Sequence, residues 1–244
     1  MKTSTKRTIL AAAISSACLL SAMPSYAEGT FTANASGTSN YIWRGLTQTI
    51  NEAAIQGGID YAHESGFYAG TWASNVSYAS DDVYSYEHDM YFGFSGEADG
   101  FVYDFGYLYY NYDAEANFDF AEIYGSLGMG GFSVTLYLLA HTEADEGEGQ
   151  DFGFGKASYT SLDYSTEILN GTELSFHVGY HDGDFVDAFN FGDGTDNYAD
   201  YGVTIAKDGF SFAVTGTDLD DVGEDALDND EVKFTVAYSM DFEL

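Results

Sequence analysis

Two long runs of alternating residues constrain this chain more than any other feature. Between Ile55 and Tyr78, side-chain character alternates at every second position on both sides of the short turn Glu64-Ser65-Gly66. Successive side chains of a strand point to opposite faces, so this period predicts two strands. The runs exceed the about 5–6 residues typical of soluble strands and suit the about 9–11 that a tilted strand needs to cross a bilayer. The length favours a membrane barrel.

Short turns and longer polar loops alternate along the rest of the chain. The later short turns contain Asp-Gly, Gly-Gly or Asn-Gly pairs, which tolerate positive φ and favour tight hairpins; they are Asp99-Gly100, Gly130-Gly131, Asn170-Gly171 and Lys207-Asp208-Gly209. The long loops are predicted at 45–53, 79–84, 113–117, 142–153, 182–197 and 218–230. This rhythm predicts an all-β, antiparallel up-and-down transmembrane β-barrel of about 12 strands.

A soluble β-sandwich is the main structural alternative, because its strands also alternate. It would not require aromatic residues so persistently on the apolar face, or a strict rhythm of short and long connections. Two segments are ambiguous: Phe118 and Phe120 share parity with Glu122, and 156–169 has no convincingly apolar face. The final run from Val232 to Leu244 alternates cleanly and resembles the assembly signal of outer-membrane proteins. The barrel-assembly machinery and outer-membrane lipids are therefore expected partners.

The first 27 residues have the pattern of a signal peptide. A basic start is followed by an apolar run too short to span a bilayer, and Ser25-Tyr26-Ala27 supplies small residues for cleavage before Glu28. A retained N-terminal anchor is the alternative. We predict a signal peptide at 1–27 and one outer-membrane barrel domain at 28–244. That domain would lack cysteine and proline, since Cys18 and Pro24 are the only ones, and this excludes a disulfide scaffold.

The charge of the chain is strongly acidic. Forty Asp and Glu against seven Lys and Arg give a formal net charge of −33. Nucleic acid is excluded as a partner, because its binding requires a basic surface. Small solutes or cations are the expected partners, and a merely well-solvated acidic surface is the alternative.

The polar parity of the strands should face the lumen, because a basic charge facing lipid at mid-membrane costs about 2–4 kcal/mol. The predicted pore-lining residues are Arg44, Gln56, Asp60, Glu87, Asp89, Asp104, Glu173, His177, Asp200 and Lys233. We expect Arg44 near the long-loop end of the first strand, paired with an acid such as Asp60 or lying free on the surface. Phenylalanines directly after short turns predict an aromatic girdle at the lipid interface; they are Phe67, Phe101, Phe132 and Phe210.

Three segments of the N-terminal third form a recognisable pattern: SNYIWRGLTQT (39–49), QGGIDY (56–61) and SGFYAGTWASNV (65–76). Together they resemble the TorF-type porins of proteobacteria. The resemblance implies an outer-membrane location and a pore, without identifying a solute.

The sequence leaves three functions open. The first is a porin-like channel for passive diffusion of small solutes or ions, cation-favouring because acids line it. The second is a closed structural or adhesive barrel, since twelve strands lie between filled eight-stranded barrels and open sixteen-stranded ones; inward Gly93, Gly106, Gly179 and Gly202 favour open space. A lipid-modifying enzyme is disfavoured, because His88 has no serine beside it on its face. No cofactor is predicted, nor a metal site, since His177 and His181 lack a third ligand.

Overall fold

The computed structural model describes residues 29–188, 195–221, 223 and 226–244. Its wall consists of twelve antiparallel strands that close into a barrel. The strands are β1 (Thr30–Thr38), β4 (Ala54–Ala62), β5 (Phe67–Asn75), β6 (Tyr86–Ala98), β7 (Phe101–Tyr112), β8 (Phe120–Met129), β9 (Phe132–Thr142), β10 (Ser158–Leu169), β11 (Thr172–Asp182), β12 (Asn197–Lys207), β13 (Phe210–Thr217) and β14 (Lys233–Glu243). Around the barrel they follow the order β1-β14-β13-β12-β11-β10-β9-β8-β7-β6-β5-β4. This confirms the predicted fold and its strand number. The predicted signal peptide lies outside the described residues.

The remaining regular elements belong to the connections. Strands β2 (Ile42–Trp43) and β3 (Leu46–Thr47) form a small hairpin between β1 and β4, and a 3-10 helix covers Asp184–Ala188 after β11. Within the ranges that the structure covers, no helix is long and apolar enough to cross a membrane.

The short turns are tight hairpins, as predicted. Four of them contain two residues between the strands, and both residues have positive φ, for example 51° at Asn170 and 75° at Gly171. Positive φ at both positions is the type I′ geometry, whose twist matches that of the flanking strands. The connections at the other end are longer. The first of them begins at residue 39 rather than 45, because the segment 39–44 leaves the wall and turns inward.

The two faces of the wall differ in chemistry. Large apolar side chains on the outer face are exposed, among them Phe105 at 54%, Val178 at 56% and Val236 at 53%. The inner face carries mostly polar, small and tyrosine side chains. The ambiguous strands fit this division, because Phe120 and Glu122 both point inward on β8, and Ser161 and Asp163 do so on β10. In a membrane, the hydrocarbon core of the bilayer would cover these outward-facing apolar side chains, which is how transmembrane barrels are arranged.

The four predicted girdle phenylalanines each begin a strand directly after a short turn. Phe101, Phe132 and Phe210 are exposed by 41%, 55% and 61%, and Phe67 is half-buried against Phe94. They therefore lie at one end of the barrel on its outer face. Their contact with the lipid interface stays a prediction.

Tyrosines on the inner wall lie over glycines of the neighbouring strand. Tyr124 is paired with Gly106 across β8 and β7, and Tyr68 is paired with Gly93 across β5 and β6. A Cβ added to Gly106 would lie 2.6 Å from the Tyr124 hydroxyl and 2.7 Å from the carbonyl oxygen of Phe92 on β6. The expectation that Gly93, Gly106 and Gly179 leave open space is wrong, because tyrosine rings occupy it.

Replacing Gly106 with valine should destabilise the barrel. Overpacking of this kind costs about 1–3 kcal/mol, because the tyrosine must move or the strands must separate. Gly125→Val is the matched control, since a Cβ at Gly125 meets no atom within 4 Å. The measurement is the urea midpoint of unfolding from phospholipid vesicles. Equal midpoints for the two variants would contradict this account of the inner wall.

Candidate pore lining and its plug

The short-turn half of the lumen carries carboxylates held by tyrosine hydroxyls. Tyr68 donates to Asp104 at 2.6 Å, and its hydroxyl also contacts that of Tyr124. Tyr91 donates to Asp60, which is also 3.4 Å from the Asn34 amide. The tyrosines hold the acids against the wall, so these charges line the lumen instead of projecting across it.

A second group of acids surrounds His177 on the opposite side of the lumen. Its Nδ1 lies 2.6 Å from Asp163, and its Nε2 lies 2.9 Å from Asp200. The Tyr159 hydroxyl donates to Asp200 at 3.0 Å. The three groups come from adjacent strands β10, β11 and β12. The imidazole is therefore engaged by acids, while His181 on the same strand contacts Arg44 instead.

The long-loop half of the lumen is filled by the β2–β3 hairpin. All residues from Asn40 to Thr49 are buried, including the hairpin tip Arg44-Gly45. Both tip residues have positive φ, 47° and 82°, which forms a tight two-residue turn. The hairpin leaves the wall after β1 and reaches β9, which lies six strands away in either direction around the barrel. It therefore crosses the full width of the lumen, and we call residues 40–49 the plug.

The Arg44 guanidinium is held in a cage on the far wall. Its Nη1 and Nη2 donate to the two oxygens of Glu122 at 3.0 and 2.6 Å, and its side chain has no exposed surface. Its Cζ lies 4.2 Å from the ring centroid of Tyr159 and 4.9 Å from that of Tyr137. The Arg44 carbonyl accepts a hydrogen bond from Tyr198 at 2.9 Å. A bidentate ion pair between aromatic ring faces suits arginine better than lysine.

This position corrects the sequence-based placement of Arg44. The residue does not lie on the first wall strand, and its partner is Glu122 rather than Asp60 or solvent. The prediction was wrong because it placed the start of the first long loop at residue 45, after Arg44, whereas β1 ends at Thr38 and the chain then forms a separate hairpin. Glu122 was missed as a lumenal acid, since its parity is shared with Phe118 and Phe120, and those rings pack inside the barrel beneath the loops.

Hydrogen bonds fasten the plug to the last long loop. Lys233 Nζ donates to Asn51 Oδ1 at 3.0 Å and to the carbonyl of Leu227 at 2.7 Å. The Thr47 amide donates to Asn229 Oδ1 at 3.1 Å, and Asn51 donates to the Leu227 carbonyl at 2.9 Å. These contacts tie the plug, and Asn51 just after it, to β14 and to the loop that precedes β14.

The other predicted pore residues also lie on the inner face. Glu87 accepts hydrogen bonds from Tyr41 at 2.8 Å and Tyr112 at 2.7 Å, so it contacts the plug. Gln56 accepts from Ser36 at 3.2 Å, and Glu173 accepts from Ser175 at 3.1 Å. Asp89 is buried on the same row as Glu87. That these residues line a conducting pore stays a prediction.

The outer loops hold one another through acids. Asp113 accepts hydrogen bonds from the amide of Ser85 at 2.6 Å and from its hydroxyl at 2.8 Å. Slight burial would raise the pKa of Asp113, but the hydrogen bonds from Ser85 and the Tyr86 amide lower it below its ordinary value. This contact joins the loop before β6 to the end of β7.

The chain belongs to the family Gcw_chp, described as bacterial protein of unknown function, whose profile matches residues 23–242. Its fold is that of outer-membrane porins. A KdgM porin superposes with a TM-score of 0.52 at 8% identity, over 85% of this chain and 97% of that one. A NanC porin superposes with a TM-score of 0.50 at 8% identity, over 86% and 97%. A search of curated proteins finds no match.

Proposed function

We propose that this protein is an outer-membrane channel for passive diffusion of small solutes or ions, favouring cations. The observation that carries the proposal is the contrast between the two faces of a closed wall. Apolar side chains cover the outside, while Asp60, Asp104, Asp163 and Asp200 stand on an inner face that has little basic charge. A low-dielectric wall with one sign of charge concentrates counter-ions within it. The resemblance to TorF-type porins supports the same function.

The proposed mature domain is 28–244, after removal of a signal peptide at 1–27. In this account the outer-membrane lipids cover the apolar rows, and the barrel-assembly machinery inserts the chain. The short turns face the periplasm and the long loops face outward, as in bacterial outer-membrane barrels.

A closed structural barrel is the second candidate, and the plug is the observation that favours it. Residues 40–49 fill the long-loop half of the lumen, so passage requires that the plug move. The channel proposal therefore includes a plug with two positions, and a barrel with a permanently docked plug would conduct nothing.

A lipid-modifying enzyme gains little support. On the outer face Thr71 Oγ1 lies 2.6 Å from His88 Nε2, a contact that the sequence reasoning missed because it considered serine neighbours only. The same hydroxyl bonds to the main-chain carbonyl of Asp89 at 2.9 Å. The Asp89 carbonyl can only accept, so the hydroxyl proton is directed to it rather than to the imidazole, and we do not propose catalysis there.

Proteoliposome swelling tests the channel directly. Vesicles that contain the folded barrel should swell in isotonic solutions of small neutral solutes faster than protein-free vesicles, and the rate should fall with solute size. The control is a vesicle preparation with the same protein left unfolded in urea before dilution. Swelling indistinguishable from protein-free vesicles, for wild type and for a variant with a released plug, would favour the closed barrel.

A further inference from the structure

The cage that holds Arg44 is a cation-binding arrangement built from wall residues. It combines a buried carboxylate, Glu122, with the ring faces of Tyr137 and Tyr159. Tyr110 also donates to Glu122 Oε2, at 3.2 Å. All of these groups belong to the wall strands β7 to β10, and they would stay in place if the plug moved.

The cage recognises the end of the arginine side chain. Both hydrogen bonds to Glu122 come from Nη1 and Nη2, and the third contact, from Nη1 to His181 Nε2 at 3.3 Å, involves the same end. Among the described residues, Nε has no hydrogen-bond partner. The contacts are therefore those that a small alkylguanidinium ion would make equally well.

We propose that the cage is a binding site for guanidinium-bearing solutes, which Arg44 occupies in the closed state. The plug then acts as a tethered competitor: a solute that enters the cage displaces Arg44 and favours the released plug. This inference deepens the proposed function, on which its transport consequence rests, by assigning a class of solute and a means of opening.

Two features of the cage support an organic cation over a metal ion. Planar guanidinium forms two parallel hydrogen bonds with a carboxylate, as Arg44 does here, whereas an ammonium is a point charge. The two tyrosine rings lie at cation–π distance and offer faces to a flat, weakly hydrated cation. A strongly hydrated metal ion would gain little from these rings.

Isothermal titration calorimetry with methylguanidinium tests the site without reference to conduction. The protein is the folded barrel in detergent, with Arg44→Ala to empty the cage. Saturable binding at low millimolar concentration is expected, and it should weaken by about tenfold or more in R44A/E122Q, because a hydrogen bond to a charged group contributes about 1.5–3 kcal/mol. Methylammonium should bind R44A more weakly than methylguanidinium. Wild type should bind weakly, since Arg44 competes.

The folded state of each variant is checked by its heat-modifiable migration on gels, and Arg44→Lys provides a second variant if R44A does not fold. Equal affinity of R44A and R44A/E122Q for methylguanidinium, or no binding to folded R44A, would overturn the proposal. A cage that binds methylguanidinium in a protein that never conducts would leave the site intact and refute the channel. Current through R44A in a protein that does not bind methylguanidinium would support the channel and refute the site.

Discussion

Replacing Arg44 with alanine should raise the mean conductance of the protein in planar bilayers several-fold. The substitution removes one partner of a fully buried ion pair and leaves Glu122 uncompensated against the plug. Breaking a buried pair in this way costs about 3–5 kcal/mol, which shifts the equilibrium between docked and released plug by about a hundredfold or more. The plug would then leave the lumen for a larger fraction of the time.

Two further variants separate release of the plug from a general change of charge. R44A/E122Q should conduct no more than R44A, because the uncompensated carboxylate is gone, and a double-mutant cycle gives the coupling of the pair. Lys207→Ala removes one basic charge at an exposed position beside a short turn and should leave the conductance unchanged. A rise in K207A equal to that in R44A would contradict the role assigned to the plug.

The fluorescence of Trp43 reports release of the plug independently of conductance. Its side chain is 3% exposed in the docked plug and packs against Phe120 and Tyr110. In a Trp72→Phe background it is the remaining tryptophan, because the chain has two. R44A should make its fluorescence more accessible to acrylamide. Unchanged quenching together with a higher conductance would mean that the current does not pass where the plug lies.

Neutralising Asp60 and Asp104 together should lower the preference for cations over anions. Both acids stand on the inner wall, hydrogen-bonded to Tyr91 and Tyr68, and asparagine can keep these hydrogen bonds while losing the charge. Charges inside a low-dielectric wall act on ions more strongly than charges in water, which are screened within about 8 Å at physiological salt. The expected change is a reversal potential closer to zero in a salt gradient.

The matched control for that pair is Asp81→Asn with Glu115→Gln, which removes two charges from exposed loop positions. It should change the reversal potential less than D60N/D104N. The experiment is best done in the R44A background, where current is larger. An equal effect of the two pairs would show that the ion preference arises at the loops and that the lumenal assignment is wrong.

The wall could be predicted from the sequence because its rules are local. Side-chain period, turn pairs such as Asn170-Gly171 and the alternation of loop lengths depend on neighbouring residues, and they indicated the strand number and the faces of Asp60, Asp104 and His177. The plug could not be predicted, because Arg44 and Glu122 are 78 positions apart and nothing local distinguishes a hairpin folded inside a barrel from a wall strand. The same limit applies to the tyrosines over Gly93 and Gly106, whose register is set by strand pairing.

Single-channel recording of the wild-type barrel in a planar bilayer, with a potassium chloride gradient across it, tests the central claim most directly. We expect brief discrete openings, since the plug is docked most of the time, and a reversal potential whose sign corresponds to potassium. A flat baseline in wild type and in R44A alike, or a reversal potential of the chloride sign, would contradict it.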